Sequence, residues 1–336
     1  MRLRILSAGP GVTLQDEGRR GFLRYGVTPA GPMDADAFLA ATGAAGTEAA
    51  IEVSLGGVEL AAEEGEIGLA ICGGNFDVRL DGRPLPAACA LTLAPGARLS
   101  LRAGPSGAWA YVAPFGRFDL PKVLGSLATH TRSGLGGLEG RGLAAGDALN
   151  ILDARAGPKA PMALNAPWLG AVSHSFRILL GPQQNHFASE TIATFLTSSW
   201  RLSARSDRMA YRLDGPPLAH RFGHDIVSDG LAMGAIQIPG DGAPLVLMAD
   251  RQPTGGYPKI AHVIGADLPA LAQKRPGEDI RFTQASLEEA VAARRARARA
   301  LAESVRLEAI TPELTSELLL ERNLVGGVVG DFTLLE

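Results

Sequence analysis

A chain of 336 residues and 34.9 kDa is long enough for two domains and a sizeable core, so its stability need not depend on staples. With 32 basic residues against 35 acidic ones and a pI near 6.1, it carries no polybasic footprint, which argues against nucleic acid and anionic membrane as partners. No run approaches the roughly 20 apolar residues of a spanning helix; Met1–Leu6 meets Gly9-Pro10-Gly11 too soon for a signal-peptide core, and Cys72 and Cys89 show no metal or redox spacing, so a soluble cytoplasmic protein with reduced thiols is expected.

The 42 glycines and 22 prolines fall between short apolar segments, which is the pattern of many strands joined by tight turns. Leu3–Leu6 reads as the opening strand. Asp34, after Gly31-Pro32-Met33, is the expected N-cap of a short helix that buries Phe38 and Leu39 and stops near Gly43 or Gly46. From Ala50 to Val112 seven strands are expected, at 51–53, 58–60, 67–71, 76–80, 90–93, 98–101 and 108–112. That spacing argues for a barrel or sandwich. Asp119-Leu120-Pro121 reads as the start of another short helix. Ser126 to Gly137 is a polar, glycine-rich loop, either a surface connection or part of a site, and Asp153 to Pro167 is the expected linker.

Past the linker, Phe176–Leu180 is a strand and Ser189 to Leu196 a helix that turns Ile192, Phe195 and Leu196 inward. Asp267-Leu268-Pro269 starts a further helix, and Ile280–Phe282 is the last clear strand. Short matches recur in order: Arg20, Tyr25, Gly31-Pro32, Asp119-Leu120-Pro121 and Gly146-Asp147 against Arg208, Tyr211, Gly215-Pro216, Asp267-Leu268-Pro269 and Gly277-Glu278. Their collinearity suggests a duplicated β-rich unit. Ser286 and Glu289 form a capping box for a helix with an apolar stripe of Leu287, Val291, Ala298, Leu301 and Val305, its arginines solvated and paired with Glu303 and its neighbours. The tail around Leu324–Phe332 carries no assignment.

The densest chemistry lies between Ser228 and Ile264. Two strands, Gly234–Pro239 and Pro244–Ala249, flank Gly240-Asp241-Gly242 and form a hairpin. Directly after it comes Asp250-Arg251-Gln252-Pro253-Thr254-Gly255-Gly256-Tyr257-Pro258-Lys259. Arg251 offers a planar fork for carboxylate or phosphate, Lys259 a compact ammonium, and Gly255-Gly256 leaves backbone N–H groups open to line an anion nest. Only four of the 32 basic residues are lysine, so an ammonium in this loop is notable. The plain alternative is a tight turn with surface charges. On the site reading, Arg251 and Lys259 converge on one concave pocket floored by glycine backbone.

Several chemistries find no support. There is no phosphate loop, no G-x-S-x-G elbow and no biotinylation motif, and His220 and His224, the one pair at helical spacing, lack the glutamate of a zinc hydrolase. No metal-ligand set emerges, and His130, like the other scattered histidines, reads as structural or exposed.

Taken together, T-L-Q-D-E-G-R-R-G from Thr13, G-P-M-D from Gly31, G-G-L-E-G-R from Gly136, L-G-P-Q from Leu180, S-D-R-M-A-Y-R-L from Ser206, S-D-G from Ser228, G-A-I-Q-I-P-G-D-G from Gly234 and D-R-Q-P-T-G-G-Y-P-K-I-A from Asp250 resemble the biotin-dependent carboxyltransferase family, which includes the 5-oxoprolinase C subunits, Kip antagonist and allophanate-hydrolase subunit 2-like proteins. The resemblance spans about residues 10 to 300. It implies a mainly β fold of tandem cyclophilin-like barrel units, here 1–160 and 168–285, followed by a helix and tail at 286–336. Where the family usually has S-R-S-T-Y, this chain has Ser126-Leu127-Ala128-Thr129-His130, and Pro253 stands where threonine is usual. Asp250, Arg251 and Lys259 are the catalytic candidates; Gln252, Thr254, Gly255, Gly256, Tyr257, Gln237, Ser126 and Arg208 are the substrate-binding ones.

Three functions follow from the resemblance. The first is the C subunit of an ATP-dependent 5-oxoprolinase, acting with A-like and B-like 5-oxoprolinase subunits as partners, with Arg251 or Lys259 balancing developing negative charge and Asp250 or another carboxylate orienting water. ATP would belong to the assembled complex. The second is carboxyl transfer from carboxybiotin on a partner protein to an amide or urea-like acceptor. The third is a non-enzymatic antagonist of a kinase-inhibiting partner.

Overall fold

The computed structural model describes residues 1–169 and 173–310. In the first of two β units, twelve strands form one sheet around its two longest, Ile67–Leu80 and Arg98–Pro114, which run antiparallel from Leu69 opposite Pro114 to Leu80 opposite Leu99. Periodicity alone divides each of these into two strands. They stay continuous because Gly74 and Gly107 touch at a bend, where a Cβ on Gly74 would sit 2.7 Å from Gly107 Cα. The register slips on both sides of Asn75. Bending lets Arg98–Pro114 pair with Val58–Glu64 at one end and with Ala50–Val53 at the other, and the second pairing sets Glu52 opposite Tyr111. Helix α1 (Ala35–Ala45) packs on this sheet, capped by Asp34 and stopped by left-handed Gly46, with Phe38 buried as expected.

The second unit is a closed barrel of seven strands: Ser175–Leu180, Lys259–Val263, Ala235–Gln237, Leu245–Leu247, Ala210–Asp214, Trp200–Leu202 and Asp279–Gln284. Its neighbours are antiparallel except where Ser175–Leu180 meets Asp279–Gln284 in parallel and closes the ring. The hairpin across Gly240-Asp241-Gly242 forms, with Ile236 opposite Val246. Helix α2 (Ser189–Thr197) stacks Phe195 on Phe282 at 5.0 Å, and α3 (Leu268–Ala272) begins after Asp267.

Four expectations need correction. Met162–Asn165, inside the expected linker, is a strand that pairs with Cys89–Leu93 and with Arg306–Ala309, so the chain past the barrel returns to the first sheet. Asp119-Leu120-Pro121 opens no helix. Leu124 and Gly125 both take left-handed φ, and Val123 and Ser126 exchange backbone hydrogen bonds at 2.9 and 3.3 Å, which makes a two-residue turn instead. Helix α4 (Leu287–Ala300) keeps its capping box but buries no residue: Leu287 is 62% exposed, and the partly covered stripe is Ala290, Ala293, Arg297 and Ala300. Arg297 pairs with Asp36, not Glu303. The short repeats match only in part: Gly146 and Gly277 both turn at positive φ, whereas Tyr25 is 65% exposed in a single 3-10 turn and Tyr211 is buried in a barrel strand. The tail at Leu324–Phe332 lies outside the described residues.

One apolar core fills the first unit. A second runs from α1, Trp109 and Tyr111 through the barrel interior to Phe195 and Trp200, so both units contribute to one packed seam. Polar ties cross it. Trp109 Nε1 donates to Tyr211 Oη at 3.0 Å, while Gln273 Oε1 accepts from the backbone of Ala108 and Trp109 and its Nε2 donates to Asp34 Oδ2 at 2.6 Å. Cys72 and Cys89 are free and buried, and burial pushes the Cys89 thiol up to about 12. No described helix is long and apolar enough to cross a membrane.

Candidate active site at the seam of the two units

Arg208 leaves the barrel just before Ala210–Asp214 and reaches into the first unit. Its Nη1 pairs with Glu52, its Nη2 donates to Gly31 O at 2.8 Å, and Nε and Nη2 hold Asp250 in a two-point fork at 2.9 and 2.8 Å. None of the three charged residues is more than 9% exposed. Glu52 also accepts from Tyr111 Oη and Met33 N, each at 2.8 Å, and Tyr111 Oη in turn accepts from Asp34 N. Burial pushes the Glu52 carboxyl up against the pull of Arg208. Burial also opposes the Arg208 charge, but Asp250 and Glu52 together outweigh it and keep the guanidinium protonated.

Arg19 and His130 lie beside Asp250. Arg19, 1% exposed, donates from Nη2 to Ala128 O and from Nε to Val123 O at 3.4 Å, whereas its Nη1 meets no partner. His130 sets Nδ1 2.9 Å from Ser133 Oγ and turns its other ring nitrogen toward the backbone of Asp250. Burial lowers the pKa of both, with Asp250 among the charges that oppose the shift. Ser126 and Asp16 brace this wall: Ser126 Oγ and Leu127 N each donate to the Asp16 carboxylate at 2.6 Å.

The loop from Asp250 to Lys259 behaves differently. Lys259 is buried and donates to the Asp229 carboxylate and to Gly230 O at 3.2 Å, while Arg251 donates to Leu231 O at 3.0 Å and, weakly, to Met248 O. Both cations therefore converge on the segment 229–231 but spend themselves on the chain's own acceptors. The clefts of about 740, 320 and 610 Å³ are lined by neither, and not by Glu52, Arg208 or Asp250. Thr254 and Gly255 pair with Gly230 and Asp229 as a short ribbon. No residue between Asp250 and Lys259 is left-handed, so the glycines form no anion nest. Gly255 is instead required for close approach, since a Cβ there would lie 2.8 Å from Gln237 Nε2. Gln237 donates to Tyr257 O at 3.2 Å, and Gln252, Thr254 and Tyr257 are exposed.

Of the residues singled out in the sequence, Asp250, Arg208 and Ser126 join the seam, and Arg251, Lys259, Gln237 and Gly255 stabilise the adjoining ribbon. Glu52, Asp16, Arg19, His130 and Asp229 escaped selection. Asp16, Arg19 and Asp229 lie in quoted motifs and His130 ends the Ser126–His130 segment that departs from the family pattern, but Glu52 offers no local signal, because alternation turns it to the face opposite Ile51 and Val53, where solvent rather than Arg208 is the usual neighbour.

Residues 25–284 match the family described as carboxyltransferase domain, subdomain A and B. The chain is 38% identical over 296 residues to the 5-oxoprolinase C subunit of Escherichia coli (strain K12), covering 87% of this chain and 94% of that one. To the 5-oxoprolinase C subunit of Haemophilus influenzae it is 36% identical over 299 residues, with the same coverage, 87% and 94%. Among solved structures it superposes on the K. lactis urea amidolyase with a TM-score of 0.83 at 26% identity, covering 94% of this chain and 21% of that one. On these matches, the chain belongs to the family of carboxyltransferase domains, subdomains A and B.

Proposed function

We propose that this chain is the C subunit of an ATP-dependent 5-oxoprolinase, a cytoplasmic complex with A-like and B-like partner subunits that hydrolyses 5-oxoproline to glutamate. The observation that carries this is the 38% identity extending over 94% of the Escherichia coli C subunit. Asp250 fits a role in opening a lactam. The Arg208 fork takes one N–H bond at each carboxylate oxygen, which fixes the group in space and leaves lone pairs to orient water or accept the lactam N–H. Arg251 and Lys259 act through the 229–231 ribbon, whose position beside Asp250 they set. ATP belongs to the assembled complex, bound by a partner subunit.

A second reading, carboxyl transfer to an amide or urea-like acceptor from carboxybiotin on a partner protein, draws on the superposition with the urea amidolyase. Assembling the chain with A-like and B-like subunits and measuring ATP turnover separates the two. Turnover that depends on 5-oxoproline supports the first. Its absence with every subunit folded rejects that reading, and acceptor-stimulated loss of carbon dioxide from carboxybiotin then supports the second.

A further inference from the structure

We propose that the loop 218–231, with the ribbon it joins, is the docking surface for the partner subunit that carries ATP, and that this partner offers an apolar groove with a carboxylate at its rim. This rests on the 5-oxoprolinase reading, and it adds where the complex meets this chain. Of the nine large apolar side chains exposed among the described residues, three lie here: Phe222 at 60%, Val227 at 91% and Tyr257 at 38%. Exposed apolar groups scattered singly are ordinary, but a group of them on one surface marks a place that another molecule covers.

The loop is tied down along its whole length. Leu218 N donates to Gly242 O at 3.0 Å, Arg221 N to His186 O at 2.7 Å, Ile226 N to Gly256 O at 2.8 Å and Leu231 N to Pro253 O at 3.0 Å, and the His220 ring meets Ile238 O at 2.9 Å. The Ile226 bond brings the segments of Val227 and Tyr257 together. The Phe222 ring stands edge-on to His186 at 5.8 Å, with the Arg221 guanidinium 5.6 Å from its centre. These bonds hold the loop in one shape while its apolar side chains stay outside, so the entropy of ordering it is not charged to binding.

What the loop leaves open defines the partner's chemistry. Phe222, Val227 and Tyr257 need an apolar groove. Arg221 is exposed and makes no ion pair among the described residues, so a carboxylate at the groove's rim complements it. A small molecule finds no hollow here, since none of these residues lines the clefts of about 740, 320 and 610 Å³. Position decides which partner. Asp229 and Gly230, at the end of the loop, pair with Gly255 and Thr254 as the ribbon, and Asp250 begins the same segment as Thr254. Asp229, Gly230 and Thr254 are exposed, whereas Lys259, which Asp229 and Gly230 O engage, is buried. ATP held by a partner has to be brought to this chain from outside, and a partner seated on the loop lies over the ribbon that adjoins Asp250.

The test measures the Kd of the full-length chain for the A-like and B-like subunits by titration calorimetry, together with turnover of the assembled complex. Phe222→Ser, Val227→Asp and Arg221→Glu are each expected to weaken Kd on the order of tenfold or more. Leu287→Gln, at a side chain as exposed as Phe222 but on α4, stays within twofold. The variant chains keep the wild-type urea midpoint, and turnover returns to the wild-type rate once the subunits are raised above the new Kd. If the wild-type complex turns over 5-oxoproline with ATP while Phe222→Ser and Val227→Asp both keep Kd within twofold, the surface is wrong and the function stands. If the subunits bind through the loop but no such turnover appears, the surface stands and the function falls. No binding of the subunits to the wild-type chain overturns both. The surface is also overturned by a dimer of the chain alone that Val227→Asp breaks, by a urea midpoint that falls as far as for a core truncation, or by turnover that stays low at saturating subunits with Kd unchanged, which would assign the loop to the substrate.

Discussion

The seam triad and the loop from Asp250 to Lys259 use the same residue types in opposite ways. Glu52, Arg208 and Asp250 come from distant parts of the chain and from both units, yet they form one buried ionic centre. The loop crowds its chemistry into ten residues, and its two cations bind the chain's own Asp229, Gly230 and Leu231. Local density of polar residues therefore marks where a ribbon must be pinned down. The buried carboxylate of Asp250 is placed by a charge brought in from elsewhere in the chain.

Removing the centre of the triad should cost most. Arg208→Met leaves Glu52 and Asp250 buried without their cation and is expected to destabilise the protein by about 3–5 kcal/mol, read as a fall in the urea midpoint at unchanged slope. A midpoint within experimental error of wild type would show that the triad does not tie the units together.

Asp34 tests the seam through pH. Burial raises its pKa to about 6, above the usual carboxylate value, so between about pH 4 and 6 the folded state holds a proton that the unfolded chain has lost. Stability from this group is full below that window and declines as pH rises through it. Against Asp34→Asn, which keeps the cap, wild-type stability should fall by up to about 3 kcal/mol from pH 4 to 7. A flat difference would place Asp34 in solvent.

Gly255→Ala probes the ribbon. The added methyl meets Gln237 Nε2 and Leu231 Cδ1 at 2.8 and 2.9 Å, so a loss of about 1–3 kcal/mol is expected, less than for Arg208→Met. The smallest effect belongs to α4. Leu287→Gln and Val291→Gln should each change stability by no more than about 0.5 kcal/mol, since both side chains are exposed.

Much of this architecture was legible in the residues. Asp34 and Gly46 delimit α1, Ser286 and Glu289 start α4, and Gly240-Asp241-Gly242 turns the barrel hairpin, because caps and turns are written in adjacent positions. What was not legible depends on partners far away. Ile67–Leu80 reads as two strands until Gly107 is known to lie against Gly74. Met162–Asn165 looks like linker until Arg306–Ala309 pairs with it. Within the site, Asp250 and Arg208 stand out in their motifs, whereas Glu52 is an ordinary strand residue until Arg208 arrives, and His130 gains meaning only from its place beside Asp250.

The most direct measurement is 5-oxoproline-dependent ATP turnover by the assembled complex carrying Asp250→Asn. A carboxylate aimed by Arg208 at the reacting lactam requires a loss on the order of a hundredfold or more in kcat, with the complex assembling at its normal mass. A variant complex that turns over 5-oxoproline at the wild-type rate would remove Asp250, and with it the seam, from the chemistry.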